Sequence, residues 1–272
     1  MRAERTWKDN PRKYGKPPYR VAVIHGGPGA AGEMAPVARE LSAERGILEP
    51  LQTAMTLQGQ VEELKAQLEK NAKLPAVLVG FSWGAWLAFI LAADHPRLVS
   101  KLILVGSGGF HEKYGAQTNA ARMNRLTAAE RAEVDGLMAR TAESGSAEAA
   151  GAFARFGEIY ARVDAFQPLP HEEVEIEFRP DIFTAVWGDA EKLRRSGALL
   201  KMGSRIRCPV TAIHGDYDPH PAEGVSAPLS AVLDNFTFIL LQKCGHKPWI
   251  EMHAKDAFYK TLREEIAGVK SA

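Results

Sequence analysis

Ala76-Val77-Leu78-Val79-Gly80-Phe81-Ser82-Trp83-Gly84 is the segment that decides the predicted fold. A short apolar run leads into a Gly-x-Ser-x-Gly pentapeptide, and an apolar helical pattern over residues 86–91 follows at once. In this strand–turn–helix context the serine occupies a sharp, strained turn that exposes its hydroxyl. Gly80 and Gly84 lack the Cβ atoms that would collide where the strand doubles back into the helix. The segment therefore predicts a nucleophile at Ser82.

Strands and helices alternate on both sides of this segment. The apolar patterns predict further strands at residues 20–24, 47–52, 98–105, 209–213 and 236–241, and helices at 33–45, 57–71 and 222–233. Alternation with short connections predicts an α/β fold with a mostly parallel central sheet flanked by helices. Since ligands bind at the carboxyl ends of the strands in such sheets, we expect the functional loops on one rim.

The alternation stops between residues 110 and 205. Thr127 and Glu130 form a capping-box pattern that opens one helix, and further helices are predicted around Phe156 and over residues 181–195. We therefore expect a core at residues 1–109 and 206–272, with a helical lid at 110–205 inserted after the strand that follows the nucleophile helix. The lid lies over the rim in this interpretation.

Several lid residues are candidates for substrate contact. Phe110, Phe156 and Trp187 are the aromatic residues that we place in the pocket, although internal packing of the lid is the alternative. The glutamates at positions 172, 173, 175 and 177 alternate with apolar residues, which is typical of an exposed strand face. The other interpretation is that one or two of them bind a substrate ammonium group.

A glycine-rich loop, His25-Gly26-Gly27-Pro28-Gly29, follows the first predicted core strand. Three glycines and a proline in five residues indicate a tight loop with exposed amides, which can donate hydrogen bonds to a developing oxyanion. The loop matches neither the Walker pattern nor the dinucleotide fingerprint. A purely structural turn is the remaining alternative, and no cofactor is predicted.

Acid and base candidates follow the last two predicted strands. A nucleophilic serine needs a base for its proton and a carboxylate to orient that base. In the order Ser…Asp…His, we assign His246 as the base and Asp218 as the acid, with Asp216 as the rival acid. His214, Asp216, Asp218, His220 and His246 match no metal-ligand spacing, so no metal is predicted.

Composition places the chain among ordinary globular proteins. It has 272 residues, a net charge of +1 and two cysteines without CxxC spacing. These features favour a reduced, cytoplasmic setting and give no reason to expect nucleic acid or membrane as a partner. The basic residues among positions 1–20 are interpreted as a solvated, partly mobile terminus. A small molecule or short peptide is the expected partner, and the oligomeric state stays open.

Four motifs together resemble the α/β-hydrolase superfamily: His25-Gly-Gly-Pro-Gly, Gly80-x-Ser82-Trp83-Gly84, Gly215-x-x-Asp218 and Gly245-His246. The first two are similar to its proline-iminopeptidase-related branch. The resemblance implies that the amides of Gly27 and Trp83 form an oxyanion hole and that the Gly27–Pro28 bond is cis. His25 and Gly26 are placed among the substrate contacts. The lid lacks the Asn-His-Tyr-Phe-like segment associated with iminopeptidase caps.

These observations predict a serine hydrolase that cleaves an ester, thioester or amide bond of a small, partly apolar substrate through an acyl-enzyme on Ser82. A proline-iminopeptidase-like aminopeptidase is one alternative. The others are a non-hydrolytic lyase or oxygenase of the same fold and a catalytically silent ligand-binding protein.

Overall fold

The structure is a computed structural model that describes residues 10–141, 147–170 and 176–268. The strands are β1 (Arg12–Tyr14), β2 (Tyr19–Ile24), β3 (Ala30–Ala31), β4 (Gly46–Glu49), β5 (Ala76–Phe81), β6 (Val99–Val105), β7 (Glu177–Phe178), β8 (Val210–Gly215) and β9 (Phe236–Leu241). The helices are α1 (Ala35–Leu41), α2 (Leu57–Asn71), α3 (Trp83–Asp94), α4 (Lys113–Arg125), α5 (Ala128–Thr141), α6 (Ala147–Val163), α7 (Pro180–Arg195), α8 (Ala198–Lys201), α9 (Glu223–Val232) and α10 (Lys255–Ala267).

The central sheet has the strand order β1-β4-β2-β5-β6-β8-β9. All its neighbouring strands pair in parallel except β1, which pairs antiparallel with β4. The predicted α/β fold with a mostly parallel sheet is confirmed. The loop after β8 carries Asp218, the loop after β9 carries His246, and the turn after β5 carries Ser82. All three follow the carboxyl ends of their strands, so they lie at one edge of the sheet.

The amino-terminal stretch differs from its prediction. We interpreted residues 1–20 as a solvated terminus, but Arg12–Tyr14 forms an edge strand on β4. The hydroxyl of Tyr14 donates a hydrogen bond of 2.7 Å to the carboxylate of Glu49, which is buried at this edge of the sheet. A buried polar group needs such a hydrogen-bond partner. The basic residues at positions 2, 5 and 8 lie outside the described residues.

Helix α4 was not predicted from the sequence. Only two of its side chains, Tyr114 and Thr118, are buried, so the helix lacks the apolar stripe from which a helix is recognised. Helix α1 is shorter than the predicted 33–45 and ends with Ser42 as its cap residue. By contrast, α2 and β9 have the predicted bounds.

The core consists of two apolar layers, one on each face of the sheet. Alternate residues of β5 enter different layers: Leu78 packs with α2 and α3, while Val77 and Val79 pack with α1 and α10. Helix α3 is buried over residues 83–93, as expected for the helix that follows the central strand. Among the helices in the described ranges, none is long and apolar enough to cross a bilayer.

The inserted segment packs in two ways. Residues of α5 and α6 form a separate small cluster with Leu126, whereas α7 buries Ile182, Val186 and Ala190 in the main core.

The predicted capping box is present, since Thr127 Oγ1 accepts the Glu130 N–H at 3.3 Å and the Glu130 carboxylate accepts the Thr127 N–H at 2.9 Å. The division at residues 109/110 and 205/206 stays a prediction. The glutamates at 172, 173 and 175 and the side chain of Glu177 lie outside what the structure describes.

Candidate active site

Ser82 occupies a strained turn between β5 and α3. Its backbone has φ 51° and ψ −114°, a conformation that non-glycine residues rarely adopt. A Cβ on Gly80 would lie 2.3 Å from the Gly84 carbonyl oxygen, and one on Gly84 would lie 2.4 Å from the Ile24 oxygen. Backbone atoms cannot yield to such contacts, so the turn requires glycine at both positions.

Gly84→Ala is expected to lower the free energy of unfolding by about 2–4 kcal/mol, because its Cβ collides with the backbone of β2 and the following loop. Gly188 on α7 provides a matched control, since its Cβ would meet nothing within 4 Å. Gly188→Ala should be neutral or stabilise by up to about 1 kcal/mol. Urea denaturation of both variants checks this, and equal midpoints for Gly84→Ala and the parent chain would show that the turn tolerates a side chain.

The loops after β5, β8 and β9 bring Ser82, Asp218 and His246 together. His246 Nε2 lies 3.1 Å from Ser82 Oγ, and His246 Nδ1 lies 2.8 Å from Asp218 Oδ2. An ionised carboxylate only accepts hydrogen bonds, so Nδ1 carries the imidazole proton and Nε2 is left to accept from the hydroxyl. This arrangement can remove the proton of Ser82 as its oxygen attacks a carbonyl carbon.

The rival acid, Asp216, has a different contact. Its Oδ1 accepts a hydrogen bond of 3.0 Å from the backbone N–H of Cys244, so it supports the loop that carries His246. Asp218, not Asp216, contacts the imidazole. The two acids therefore bind different parts of the same loop.

Asp218 is ionised near neutral pH. Its side chain is fully buried, and burial alone would raise the pKa of the carboxyl group. The imidazoles of His246, His214 and His220 outweigh this effect and hold the pKa of Asp218 well below its ordinary value of 3.8. The carboxylate is therefore available to stabilise a positive charge that forms on His246.

Asp218, His220 and His246 also form the densest group of potential metal ligands in the part of the chain that the structure describes. Their ligating atoms lie within 4.8 Å of one another. However, both imidazole Nδ1 atoms lie 2.8 Å from an oxygen of Asp218, and a proton occupies each of these short contacts. The chemistry of this donor set is that of a hydrogen-bonded cluster.

The glycine loop after β2 contains a tight turn. The Ala30 N–H donates to the Gly27 carbonyl at 2.9 Å, Pro28 holds the second turn position and Gly29 has φ +82°. These are features of a type II turn, in which the bond before proline is trans. The cis peptide bonds of the described residues precede Pro11, Pro18 and Pro75, so the expected cis bond before Pro28 is wrong.

Two backbone amides, those of Gly27 and Trp83, follow the ends of neighbouring strands at this edge of the sheet. Within the described residues, neither the Gly27 N–H nor the Trp83 N–H donates a hydrogen bond. Gly27 follows β2 and Trp83 follows β5, and these strands are neighbours with Ile24 opposite Gly80. The implied oxyanion hole therefore has two free donors from adjacent strand ends.

A buried polar network lies under the glycine loop. The His25 side chain is fully buried, with Nδ1 donating to the Gly26 carbonyl at 2.8 Å and Nε2 accepting the Gln52 N–H at 3.1 Å. Burial lowers the pKa of His25, so the ring is neutral. Both ring nitrogens are used inside the protein. His25, which we placed among the substrate contacts, instead supports the loop, and Gly26 is buried beside it.

Trp83 joins the same network through its indole. Its Nε1–H donates to Gln52 Oε1 at 2.8 Å and to Gln60 Oε1 at 3.1 Å. The sequence reasoning missed both glutamines. Gln60 had a usable signal, since it lies on the apolar stripe of α2 beside Val61 and Leu64.

The loop that carries His246 is held by a buried acid, Glu251. Its Oε1 accepts the N–H groups of Gly245 at 2.9 Å and Phe166 at 2.8 Å, and its Oε2 accepts that of Gln167 at 2.8 Å. The backbone N–H of His246 donates to the Asp164 carbonyl at 2.8 Å. The end of α6 is thereby bound to the base loop. No sequence pattern marks Glu251, because all its donors are backbone groups.

The three lid aromatics lie in different surroundings. Phe110, which we placed in the pocket, is fully buried in the core with its ring centroid 4.9 Å from that of Phe89, which corrects the expectation. Phe156 packs on Tyr160 at 4.1 Å within the α5–α6 cluster. Trp187 is half-buried and stacks on Trp86 at 6.0 Å. Among these residues, Trp187 stays a candidate for substrate contact.

A cavity of about 970 Å³ lies at the other edge of the sheet. It is lined by the starts of β2 and β5 and by the basic residues Lys16, Arg20, Arg45 and Lys73. Ligands of parallel sheets bind at the carboxyl ends of the strands, and Ser82, Asp218 and His246 lie at those ends. This cavity is therefore separate from the candidate active site.

Comparisons with known proteins agree with the fold. A family model described as the alpha/beta hydrolase fold matches residues 42–251. A comparison with curated protein sequences finds no match.

Many solved structures share the architecture. An N-acyl homoserine lactone degrading enzyme, Est816, is 17% identical with a TM-score of 0.62, covering 93% of this chain and 95% of that one. The enol-lactonase from Burkholderia xenovorans LB400 is 18% identical with a TM-score of 0.59, covering 94% and 95%. The proline iminopeptidase of Mycobacterium smegmatis is 16% identical with a TM-score of 0.61, covering 93% and 92%. At these identities the likeness is one of fold.

Proposed function

This chain belongs to the α/β-hydrolase fold family, and on that premise we propose that it is a serine hydrolase. It cleaves an ester, thioester or amide bond of a small, partly apolar substrate through an acyl-enzyme on Ser82. The observation that carries the proposal is the unbroken hydrogen-bonded path from Ser82 Oγ through His246 to the buried carboxylate of Asp218.

The proposed reaction has two halves. Ser82 Oγ attacks the acyl carbon while His246 Nε2 takes its proton, and the N–H groups of Gly27 and Trp83 bind the oxyanion. The leaving group departs with the proton from His246, which leaves the acyl group on Ser82. Water then attacks this ester, with His246 again as the base, and the acid product leaves.

We propose an ester or lactone as the substrate class in the first instance. Two of the structurally similar proteins, Est816 and the enol-lactonase, act on lactones. The aminopeptidase alternative is supported by the His25-Gly-Gly-Pro-Gly and Gly-x-Ser-Trp-Gly motifs. It has no support from the described part of the lid, where the iminopeptidase-type segment is missing. A cytoplasmic location and a small-molecule partner belong to the same proposal.

The test is a substrate panel combined with a serine-directed probe. We expect p-nitrophenyl esters or lactones to be hydrolysed with a burst of acyl-enzyme, and a fluorophosphonate to label Ser82. Turnover of aminoacyl-nitroanilides alone would favour the aminopeptidase. Turnover that yields no acid product, with neither a burst nor labelling of Ser82, would indicate a non-hydrolytic enzyme. Folded protein with neither turnover nor labelling would favour a ligand-binding protein.

A further inference from the structure

His220 lies in the candidate active site but outside the path from Ser82 to Asp218. It follows Asp218 by two positions, and its side chain is 16% exposed. Its ring packs against that of His246, with centroids 4.7 Å apart. The proposed reaction assigns it no part, although it contacts Asp218 as closely as His246 does.

His220 supplies both hydrogen bonds to one oxygen of Asp218. Asp218 Oδ1 lies 2.9 Å from the His220 backbone N–H and 2.8 Å from its Nδ1. The other oxygen, Oδ2, faces His246 Nδ1 at 2.8 Å. Since an ionised carboxylate only accepts, Nδ1 of His220 carries a proton and donates it. The two carboxylate oxygens are thus divided between two imidazoles.

A third imidazole supports this arrangement from the end of β8. His214 Nε2 lies 2.8 Å from the His220 carbonyl oxygen and 3.7 Å from Asp218 Oδ2. A carbonyl oxygen accepts, so Nε2 of His214 carries the ring proton. His214 therefore holds the backbone of His220 in place while His220 holds the carboxylate.

We propose that His220 is a positioning residue, whose side chain and amide turn the Asp218 carboxylate so that Oδ2 faces His246. The inference rests on the proposed function, because a carboxylate needs this orientation only when it serves a base. Without the Nδ1 donor, only the His220 backbone N–H still holds Oδ1, so the carboxylate is less firmly oriented and its charge is less stabilised.

His220 fills this role as a neutral group. Burial lowers the pKa of His220 to about 4, against the attraction of Asp218. His220 therefore stays neutral between about pH 5 and 8. Four other titratable or charged groups act on the cluster: His214, Cys244, and Arg122 with its partner Asp164.

Three variants separate the position of the donor from the presence of a polar side chain. In His220→Asn the amide nitrogen takes the place of Nδ1, in His220→Gln it lies one bond further out, and His220→Leu has no donor. We expect His220→Gln and His220→Leu to lower kcat about 10- to 100-fold on the ester that the parent enzyme uses best. His220→Asn should recover most of the loss.

The pH profile distinguishes orientation from a general packing defect. A less stabilised carboxylate is more basic and holds a proton on His246 more firmly. The acid limb of kcat/KM should therefore move to higher pH by about half a unit to one unit in His220→Gln and His220→Leu. It should stay in place in His220→Asn.

Two outcomes would overturn the inference. One is a parent-like rate and acid limb in His220→Gln, and the other is an equal loss in the Asn and Gln variants with no shift of the acid limb. His111→Leu, at an exposed site, controls for loss of a histidine. Failure of the proposed function is recognised separately, by turnover in Ser82→Ala at the rate of the parent enzyme.

Discussion

Ser82→Ala is expected to lower kcat about 10⁴- to 10⁶-fold on the best ester substrate, with circular dichroism unchanged. The variant removes the oxygen that attacks the acyl carbon in the proposed reaction, while His246 and the amides of Gly27 and Trp83 remain. Rate above the uncatalysed reaction should survive at about 10³- to 10⁴-fold, since the proposed oxyanion donors are retained. Steady-state kinetics and fluorophosphonate labelling measure both effects.

The exposed Ser204 provides the matched control for this substitution. It lies outside the hydrogen-bonded path, and its hydroxyl donates to the Lys201 carbonyl. Ser204→Ala should keep parent-like turnover and labelling. If Ser82→Ala hydrolysed the substrate or bound the probe at the parent rate, the nucleophile would have to be sought elsewhere.

Asp218→Asn is expected to lower kcat about 10⁴-fold with little change in stability. The reason lies in how the amide must orient. His220 presents two donors to Oδ1, so the amide oxygen takes that side and the NH₂ group faces His246 Nδ1. Nδ1 then becomes an acceptor, the ring proton moves to Nε2, and His246 cannot accept the proton of Ser82.

Asp216→Asn is the control for this variant. The Oδ1 of an asparagine can still accept the hydrogen bond from Cys244, so activity should stay close to that of the parent. Kinetics of both variants at neutral pH test whether Asp218 alone acts through the imidazole. Thermal unfolding checks that both variants fold. Equal losses in the two variants would mean that the acids act through the loop and not through the imidazole.

Each segment of the candidate site is held by its own buried polar group. Gln52 and Gln60 support Trp83, Glu251 supports the loop of His246, and His220 supports Asp218. Buried hydrogen bonds of this kind are costly to leave unsatisfied, so they define one arrangement of the loops. Positions outside the path from Ser82 to Asp218 should therefore influence the rate.

Some sequence predictions agree with the structure because their signals are local. The bounds of α2 follow from a full apolar stripe, and β9 follows from a short apolar run. Other elements lacked such a signal. Helix α4 buries too few residues to show a stripe, and β1 is an edge strand that forms only because β4 is beside it.

Three features can be predicted from the amino-acid sequence alone: the alternating α/β core, the steric need for Gly80 and Gly84, and the candidates Ser82, Asp218 and His246. These follow from neighbouring residues and from chain order, which are independent of packing. Other features are visible only in the folded chain: Phe110 enters the core, His25 supports its loop, and Glu251 binds a segment 85 residues away. Contacts between distant segments depend on how helices and strands pack, and no local pattern specifies them.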